Sequence, residues 1–187
     1  MIGKIVAAVG TVATATIMIA AVASGRTLTS TPANALDDPT IVAIFDNANT
    51  ADIETGELAA QRGNSKEVRD FGAMLARDHK MVRGQGRDLA TRLGVTPTPP
   101  ANDASAKAHA DAMKKLRTLK GADFDHAFLQ HEVAFHKSVI DAVTSTLLPA
   151  IGNAELKDLV VKVAPAFQAH MLAAGALDKK LRSSGDR

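Results

Sequence analysis

Residues 123–148 read DFDHAFLQHEVAFHKSVIDAVTSTLL, and their apolar side chains recur every three or four positions, as on one face of an α-helix. The same face also carries Glu132 and His136. A buried carboxylate or imidazole without a partner costs about 1 to 3 kcal/mol or more, so these two side chains need partners on other helices. The segment therefore predicts a long core helix that carries polar groups. Its apolar positions are Phe124, Phe128, Leu129, Val133, Phe135, Val139, Ile140 and Val143.

Helical spacing recurs in four other parts of the chain. Before the shorter of these helices lies a linker whose three prolines stop helix continuation and whose Asn102 or Asp103 can cap the helix that follows. Short turns join the long helices into two hairpins. The predicted fold is therefore all-α, an antiparallel four-helix bundle with a short extra helix between the two hairpins. The other long helices are predicted at about 38–61, 65–93 and 153–181, and the shorter one at about 104–119.

The composition fits one helical domain. The chain has 187 residues, of which 46% are hydrophobic, but only 3% are aromatic and none is Trp or Tyr. A core built mainly from Ala, Leu, Val, Ile and Met favours helices over a β-sandwich or barrel. The 22 basic and 20 acidic residues form no basic block, so the usual electrostatic footprint of nucleic-acid binding is missing. The absence of Cys excludes disulfides, thiolate zinc sites and thiol catalysis.

The N-terminal segment has the features of an export signal. Residues 5–23, IVAAVGTVATATIMIAAVA, are uncharged and lie between two basic residues. The A-V-A triplet that ends this segment and the A-N-A triplet at 33–35 are typical of signal-peptide cleavage sites, although about 20 apolar residues also suffice to span a bilayer. We therefore expect residues 1–35 to be a signal peptide or an N-terminal membrane anchor, and residues 38–182 to form the bundle domain. The expected location is periplasmic or otherwise exported, with membrane contact only through an uncleaved N-terminal segment.

Five polar residues fall on or beside the apolar faces of the predicted helices: Asp52, His79, Glu132, His136 and His170. Counting from the first hairpin turn, at about 1.5 Å per residue, puts Asp52 and His79 within about 5 Å of the same level. The same count from the second turn brings Glu132 level with His170, and His136 is one helical turn nearer to the loop. The sequence therefore predicts a layer of carboxylates and imidazoles inside the bundle.

Two interpretations of this layer remain open. Imidazole nitrogens and carboxylate oxygens bind zinc, copper or iron, and bundles often hold metals between facing helices, which predicts one divalent transition metal as the cofactor. Alternatively, the imidazoles donate to carboxylates or backbone carbonyls in a metal-free network. Glu132 and His136 are four residues apart, whereas the di-iron pattern needs Glu and His three apart on two helices, so ferroxidase chemistry is not expected. His126 and His131 are expected on or near the flanks of their helix.

Other motifs point to no second site. The sequence has no nucleophile elbow, P-loop or dinucleotide-binding fingerprint. Gly84 and Gly86 lie inside a predicted helix, where they are expected to permit close helix contact or to loosen the helix. Arg77, Asp78 and Arg83 are expected to form an exposed charged face.

Three ordered blocks of the sequence resemble a known family of exported bacterial proteins, the domain of unknown function 4142. The blocks are NTADIETGELAAQRGNSKEVRDFGAMLARDH, LKGADFDHAFLQHEVAFHKSVI and LKDLVVKVAPAFQAHMLAA, and the resemblance covers about residues 39–180. It implies a ferritin-like four-helix bundle outside the cytoplasm, with no established reaction or substrate. At Asp52 the family usually has Glu, whose longer side chain reaches further. The family's recurring polar positions correspond to Asp52, His79, Asp125, His136 and His170, with Asp125 expected as a partner of the ligands.

Three functions are compatible with this sequence. The protein is expected to be an envelope-facing binding or interaction module, whose partner is an envelope protein or a second copy of the chain. The alternative is a metal-dependent redox or hydrolytic enzyme using the same layer, which would need an open coordination position and a channel for substrate. A purely structural, stress-related bundle, whose imidazoles satisfy one another, is the third. The sequence identifies no catalytic residue.

Overall fold

A computed structural model describes residues 36–101 and 103–185 of the chain. Most of these residues are helical and no β-strand occurs among them, which confirms the all-α prediction. The expected leader at 1–35 and the predicted cap at Asn102 lie outside the described residues. The helices are α1 (Asp38–Arg62), α2 (Lys66–Leu93), α3 (Ala104–Thr118), α4 (Gly121–Ala142), α5 (Leu148–Ala150) and α6 (Ala154–Gly185).

Capping side chains fix where several helices begin. Asp37 and Ser65 precede α1 and α2, and each accepts a hydrogen bond from a backbone N–H of the first turn, at 2.9 and 3.2 Å. Asp103 caps α3 in the same way. At the end of α2, Gly94 takes the left-handed conformation, with a φ of 64°. These caps explain why the helix ends predicted from local sequence agree closely with the structure.

The third long helix differs from its prediction. Its α-helical part, α4, ends at Ala142 instead of continuing to about residue 148. A π-helical turn, Val143–Leu147, follows, and α5 is a single turn that contains Pro149. Pro149 cannot donate to the carbonyl four residues before it, and its ring would crowd that carbonyl. The N–H of Leu148 bonds instead to the Val143 carbonyl, five residues back, which is the π-helical pattern.

The four long helices pack as two antiparallel pairs, α1 with α2 and α4 with α6. Phe45 and Gly56 of α1 lie beside Gly86 and Gly72 of α2, so the two helices run in opposite directions. Helix α2 also contacts α6, and α1 contacts α4, while the short α3 lies against α1 and α4. Each long helix therefore contacts two others around a shared interior.

A close approach of α1 and α2 brings polar side chains of the two helices together. A Cβ atom at Gly56 would lie 2.7 Å from the Gly72 carbonyl oxygen, and one at Gly72 would lie 2.6 Å from the Gly56 carbonyl oxygen. Glycine at both positions permits this spacing because it has no Cβ. Asp52 lies one turn before Gly56, and His79 lies two turns after Gly72. The crossing therefore sets the distance between the first two predicted site residues.

Two aspartates join the hairpins. Each accepts hydrogen bonds from the turn of the hairpin to which it does not belong. Asp125 of α4 accepts hydrogen bonds from two successive backbone N–H groups of the α1–α2 turn, at 2.7 and 2.8 Å. Asp38 of α1 accepts from two successive N–H groups between α5 and α6, at 2.9 and 2.8 Å. The structure thus places Asp125, expected as a partner of the metal ligands, at a turn, where it joins the two hairpins.

Apolar clusters flank the middle of the bundle on both sides. One surrounds Phe128 near the α1–α2 turn, and another surrounds Ile41 near the opposite end. Between them lies a small cluster that includes Val82 and Phe167. Among the described residues, only α6 is long and apolar enough to cross a membrane by length and composition, a test that core helices of soluble proteins also pass.

Candidate metal centre

The structure brings the five predicted site residues, Asp52, His79, Glu132, His136 and His170, together in the interior of the bundle. They come from α1, α2, α4 and α6, and four of them are 0–1% exposed, whereas His170 is 7% exposed. The ligand atoms of the three histidines lie within 4.8 Å of one another, as do those of Asp52, Glu132 and His136. We call these five residues the polar layer.

Two further residues contact the polar layer and were not identified as site residues from the sequence. Asn49 is fully buried, and its Nδ2 donates to the Phe45 carbonyl oxygen at 2.8 Å. The available signal was its position three residues before Asp52, on the same face of α1. Asp78 was expected on an exposed face, but its side chain is only 27% exposed and one carboxylate oxygen faces His170.

The remaining histidines have partners away from the polar layer. His126 Nδ1 lies 2.6 Å from Asp178 Oδ1, and His109 Nε2 lies 2.8 Å from Glu54 Oε2, in pairs that are partly exposed. His131 stacks on a neighbouring ring of α4, and its pKa is lowered to about 4, mainly by burial. His126 and His109 therefore offer matched controls for substitutions in the layer.

Two imidazoles of the polar layer have one nitrogen held by an oxygen. His79 Nδ1 lies 3.0 Å from Asn49 Oδ1, and the Asn49 amide is oriented by its own bond to the Phe45 carbonyl. His136 Nδ1 lies 2.9 Å from the backbone carbonyl oxygen of Glu132. An oxygen acceptor requires an N–H at the nitrogen that faces it, so these partners assign the tautomers of both rings. In the neutral rings, His79 Nε2 and His136 Nε2 therefore carry lone pairs.

His170 and His79 make three polar contacts that two neutral imidazoles cannot all satisfy, because each neutral ring has one N–H. His170 Nε2 lies 3.4 Å from Asp78 Oδ2, which assigns the N–H to Nε2 and the lone pair to Nδ1. That nitrogen lies 3.2 Å from His79 Nε2, so two lone pairs face each other. If His79 donated to His170, its unprotonated Nδ1 would face the Asn49 oxygen. If His170 donated to His79, its unprotonated Nε2 would face the Asp78 oxygen. An extra proton on either ring is disfavoured, because burial lowers the pKa of His79 to about 3 and also lowers the pKa of His170.

A metal ion that accepts both lone pairs would remove this conflict. Zinc binds imidazole nitrogen at about 2.0–2.1 Å, and two such ligands at a tetrahedral angle are roughly 3.3 Å apart. The 3.2 Å separation between His79 Nε2 and His170 Nδ1 fits that spacing. His136 Nε2 offers a third lone pair and is buried without a hydrogen-bond partner in the part of the chain that the structure describes. The donor set therefore fits a transition-metal ion with three imidazole ligands.

Asp52 and Glu132 form a buried carboxyl pair beside these rings. The described residues provide no hydrogen-bond donor to any of the four carboxyl oxygens. Asp52 Oδ2 lies 3.4 Å from His79 Nδ1, and its Oδ1 lies 3.8 Å from His136 Nε2. Burial, and then repulsion from Glu132, raises the pKa of Asp52 well above its ordinary value. The pair therefore retains a proton at neutral pH.

The second carboxyl of the pair titrates near neutrality. Burial raises the pKa of Glu132 to about 7, and the neighbouring polar side chains of Thr55 and Asp52 oppose that rise. The imidazoles shift in the other direction, since burial lowers the pKa of His136 to about 4 and also lowers the pKa of His170. The three rings are therefore neutral at pH 7, which is the state in which imidazole binds a metal.

Comparison with known proteins places the chain in a family. A family model described as a domain of unknown function, DUF4142, matches residues 23–177, in agreement with the resemblance seen in the sequence. No curated protein and no solved structure matches the chain. Because the matched residues make up most of its length, the chain belongs to the DUF4142 family of domains of unknown function.

Proposed function

We propose that this protein is an exported binding module that holds one divalent transition-metal ion, zinc, copper or iron, in the core of its helical bundle. His79, His136 and His170 are the proposed ligands. The observation that carries the proposal is the 3.2 Å separation between His79 Nε2 and His170 Nδ1, each with its other nitrogen facing an oxygen. Proposed export rests on the uncharged, small-residue segment at 5–23.

The proposed bundle is of the ferritin-like type, with α3 in the connection between the hairpins. Its support is the pairing of α1 with α2 and of α4 with α6, together with the family resemblance. Bundles of this kind build metal sites from side chains on facing helices. The proposed centre uses imidazoles from α2, α4 and α6, and therefore differs from a di-iron centre, which is rich in carboxylates.

Asp52 and Glu132 are proposed as carboxylate donors that complete the site. Asp52 Oδ1 lies 3.8 Å from His136 Nε2, and both carboxyl groups are without donors in the described residues. A cation close to the pair would favour its ionised form, because an opposite charge lowers a carboxyl pKa. Metal binding at this site would therefore release protons.

A metal-dependent redox or hydrolytic enzyme at the same centre is the second candidate function. The buried carboxyl pair favours it, because a carboxyl whose pKa is raised to about 7 suits a general acid or base near neutral pH. In this second function the carboxyl pair does not bind the ion, so three imidazole ligands leave a coordination position for water or substrate in a four-coordinate site. Exchange of a small anion such as azide at the bound metal would favour this function over a closed binding site.

Cobalt(II) tests the metal site because its visible absorption reports the number and geometry of its ligands. We expect about one equivalent of Co²⁺ to give the intense bands of a four-coordinate ion when it is added to the metal-free full chain. The bands should be lost in His136→Gln and retained in the matched His126→Gln variant, with folding checked by circular dichroism. Bands that persist in both His79→Gln and His136→Gln would contradict the assigned ligands. No cobalt binding by the folded wild-type chain would leave the structural bundle as the function.

A further inference from the structure

We infer that Asp78 and His170 form the entry port through which a divalent cation reaches the buried imidazoles, and that Arg77 limits access to this port. The inference rests on the proposed metal site and adds the route by which the ion arrives. A buried site needs such a route, because a hydrated cation must exchange its water for protein ligands before it can enter.

Burial leaves one imidazole of the layer in partial contact with solvent. Asp52, His79, Glu132 and His136 are 0–1% exposed, so none of them can meet a hydrated ion directly. The His170 side chain is 9% exposed. Uptake is therefore expected to begin at His170, between α2 and α6.

A continuous chain of polar contacts joins this point to the interior. Asp78 Oδ2 lies 3.4 Å from His170 Nε2, and the Asp78 side chain is 27% exposed. On the other side of the ring, His170 Nδ1 lies 3.2 Å from His79 Nε2. A cation that is first attracted to the Asp78 carboxylate is thus one imidazole ring away from His79. Carboxylate at the mouth and imidazole inside are both suitable ligands for a divalent transition metal.

Arg77 competes with an incoming cation for the same carboxylate. Arg77 Nη2 lies 2.9 Å from Asp78 Oδ1, and the Arg77 side chain is 71% exposed. The guanidinium neutralises part of the charge that attracts the ion and adds a positive charge near the entrance. Removing it should speed uptake, whereas removing the Asp78 charge should slow uptake. The two substitutions are therefore predicted to change the uptake rate in opposite directions.

Stopped-flow mixing of Co²⁺ with the metal-free full chain measures the uptake rate directly. We expect Asp78→Asn to take up cobalt roughly 3- to 10-fold more slowly than wild type, and Arg77→Gln to take it up faster. Asparagine keeps an oxygen that can accept from His170, so the substitution tests the charge rather than the orientation of the ring. Asp88→Asn, at an exposed position of the same helix, is the matched control and should react at the wild-type rate.

Two further readouts separate an entry route from a structural role. The final cobalt stoichiometry should be the same in all four proteins, and the rate differences should shrink as ionic strength rises, because salt screens exposed charges. Equal rates for wild type and Asp78→Asn, or equal slowing by Asp88→Asn, would overturn the entry port while leaving the metal site intact. A wild-type chain that takes up no cobalt would overturn the metal site, and the entry port with it.

Discussion

His79 has its ring nitrogens 3.0 Å from Asn49 Oδ1 and 3.2 Å from His170 Nδ1. The Asn49 amide cannot turn over without losing the bond from its Nδ2 to the Phe45 carbonyl. It therefore holds the His79 proton on Nδ1 and directs the Nε2 lone pair into the layer. A buried residue outside the proposed ligand set thus orients one of the proposed ligands.

Asn49→Leu tests this control, because leucine has a similar volume but no acceptor for His79 Nδ1. We expect the affinity for Zn²⁺ to fall by about 10- to 100-fold, as for other residues that orient a metal-binding histidine. Calorimetric titration of the full chain gives the affinity. Asn47→Leu is the matched control because Asn47 is exposed on the same helix, and its affinity should stay at the wild-type value. An unchanged affinity in Asn49→Leu would show that Asn49 does not set the tautomer.

The stability of the metal-free chain should depend on pH with two opposing contributions. Burial lowers the pKa of His79 to about 3 and of His136 to about 4, so their contribution to stability is present above about pH 6.5 and is lost as the pH falls through 4 and then 3. The pKa of Glu132 is raised to about 7, so its contribution is present below about pH 4.5 and is lost as the pH rises through 7. Between pH 4.5 and 6.5 the two contributions partly cancel.

Glu132→Gln removes the contribution of Glu132, whereas Asp52, whose pKa is also raised by burial, still opposes the imidazoles. The variant's free energy of unfolding should therefore fall more steeply than that of wild type between pH 6.5 and 4.5, by up to about 1.4 kcal/mol per pH unit. Urea unfolding with a chelator present measures both slopes. The exposed Glu57→Gln should follow the wild-type slope. Parallel curves for wild type and Glu132→Gln would contradict the raised pKa.

Two glycines in α2 have different packing environments although only one residue separates them. A Cβ at Gly86 would lie 2.7 Å from the Phe45 ring, whereas a Cβ at Gly84 would have no neighbour within 4 Å. The sequence suggested two roles for this pair, close helix contact or a loosened helix. In the structure Gly86 permits the close helix contact. Gly84 has no neighbour to contact, and glycine at that position only lowers the helix propensity of α2.

Alanine at these positions should have opposite effects on stability. Gly86→Ala should lower the free energy of unfolding by about 1 to 3 kcal/mol, because the new methyl group crowds Phe45. Gly84→Ala should raise it by about 0.5 to 1 kcal/mol, because alanine favours the helix and meets nothing. Urea unfolding of the two variants shows whether each substitution raises or lowers the free energy of unfolding. Stabilisation by both substitutions would show that α1 and α2 have room to separate at Gly86.

Most helix ends followed from local signals, because caps such as Ser65 and Asp103 act within one turn of the chain. The end of α4 did not, since the apolar pattern continues through the π-helical turn at Val143–Leu147 and carries no mark of the changed hydrogen bonding. The five members of the polar layer could be predicted from helical phase. Asn49 and Asp78 could not be identified as site residues from the sequence, because their contacts depend on the ring orientations of His79 and His170.

At the scale of the whole molecule, the polar layer lies inside a bundle whose hairpins are joined by hydrogen bonds and apolar packing. Asp38 and Asp125 join each hairpin to the turn of the other, and apolar clusters pack on both sides of the polar layer. Between these clusters, the buried imidazoles and carboxyls find fewer partners within residues 36–101 and 103–185 than their chemistry requires. Helical phase cannot reveal this imbalance, because it depends on contacts between four helices. A bound ion would give these groups a partner and, because it binds only the folded chain, would raise the free energy of unfolding.

Metal content of the untagged full chain, purified from cells grown with ordinary trace metals, tests the central claim most directly. Elemental analysis should find near-stoichiometric zinc, copper or iron in the wild-type chain and in a His109→Ala, His126→Ala double variant, whose histidines lie outside the polar layer. The metal should be lost from a His79→Ala, His170→Ala double variant that remains folded by circular dichroism. Metal retained by that folded variant, or absent from the wild-type chain even after reconstitution, would contradict a metal centre built on these imidazoles.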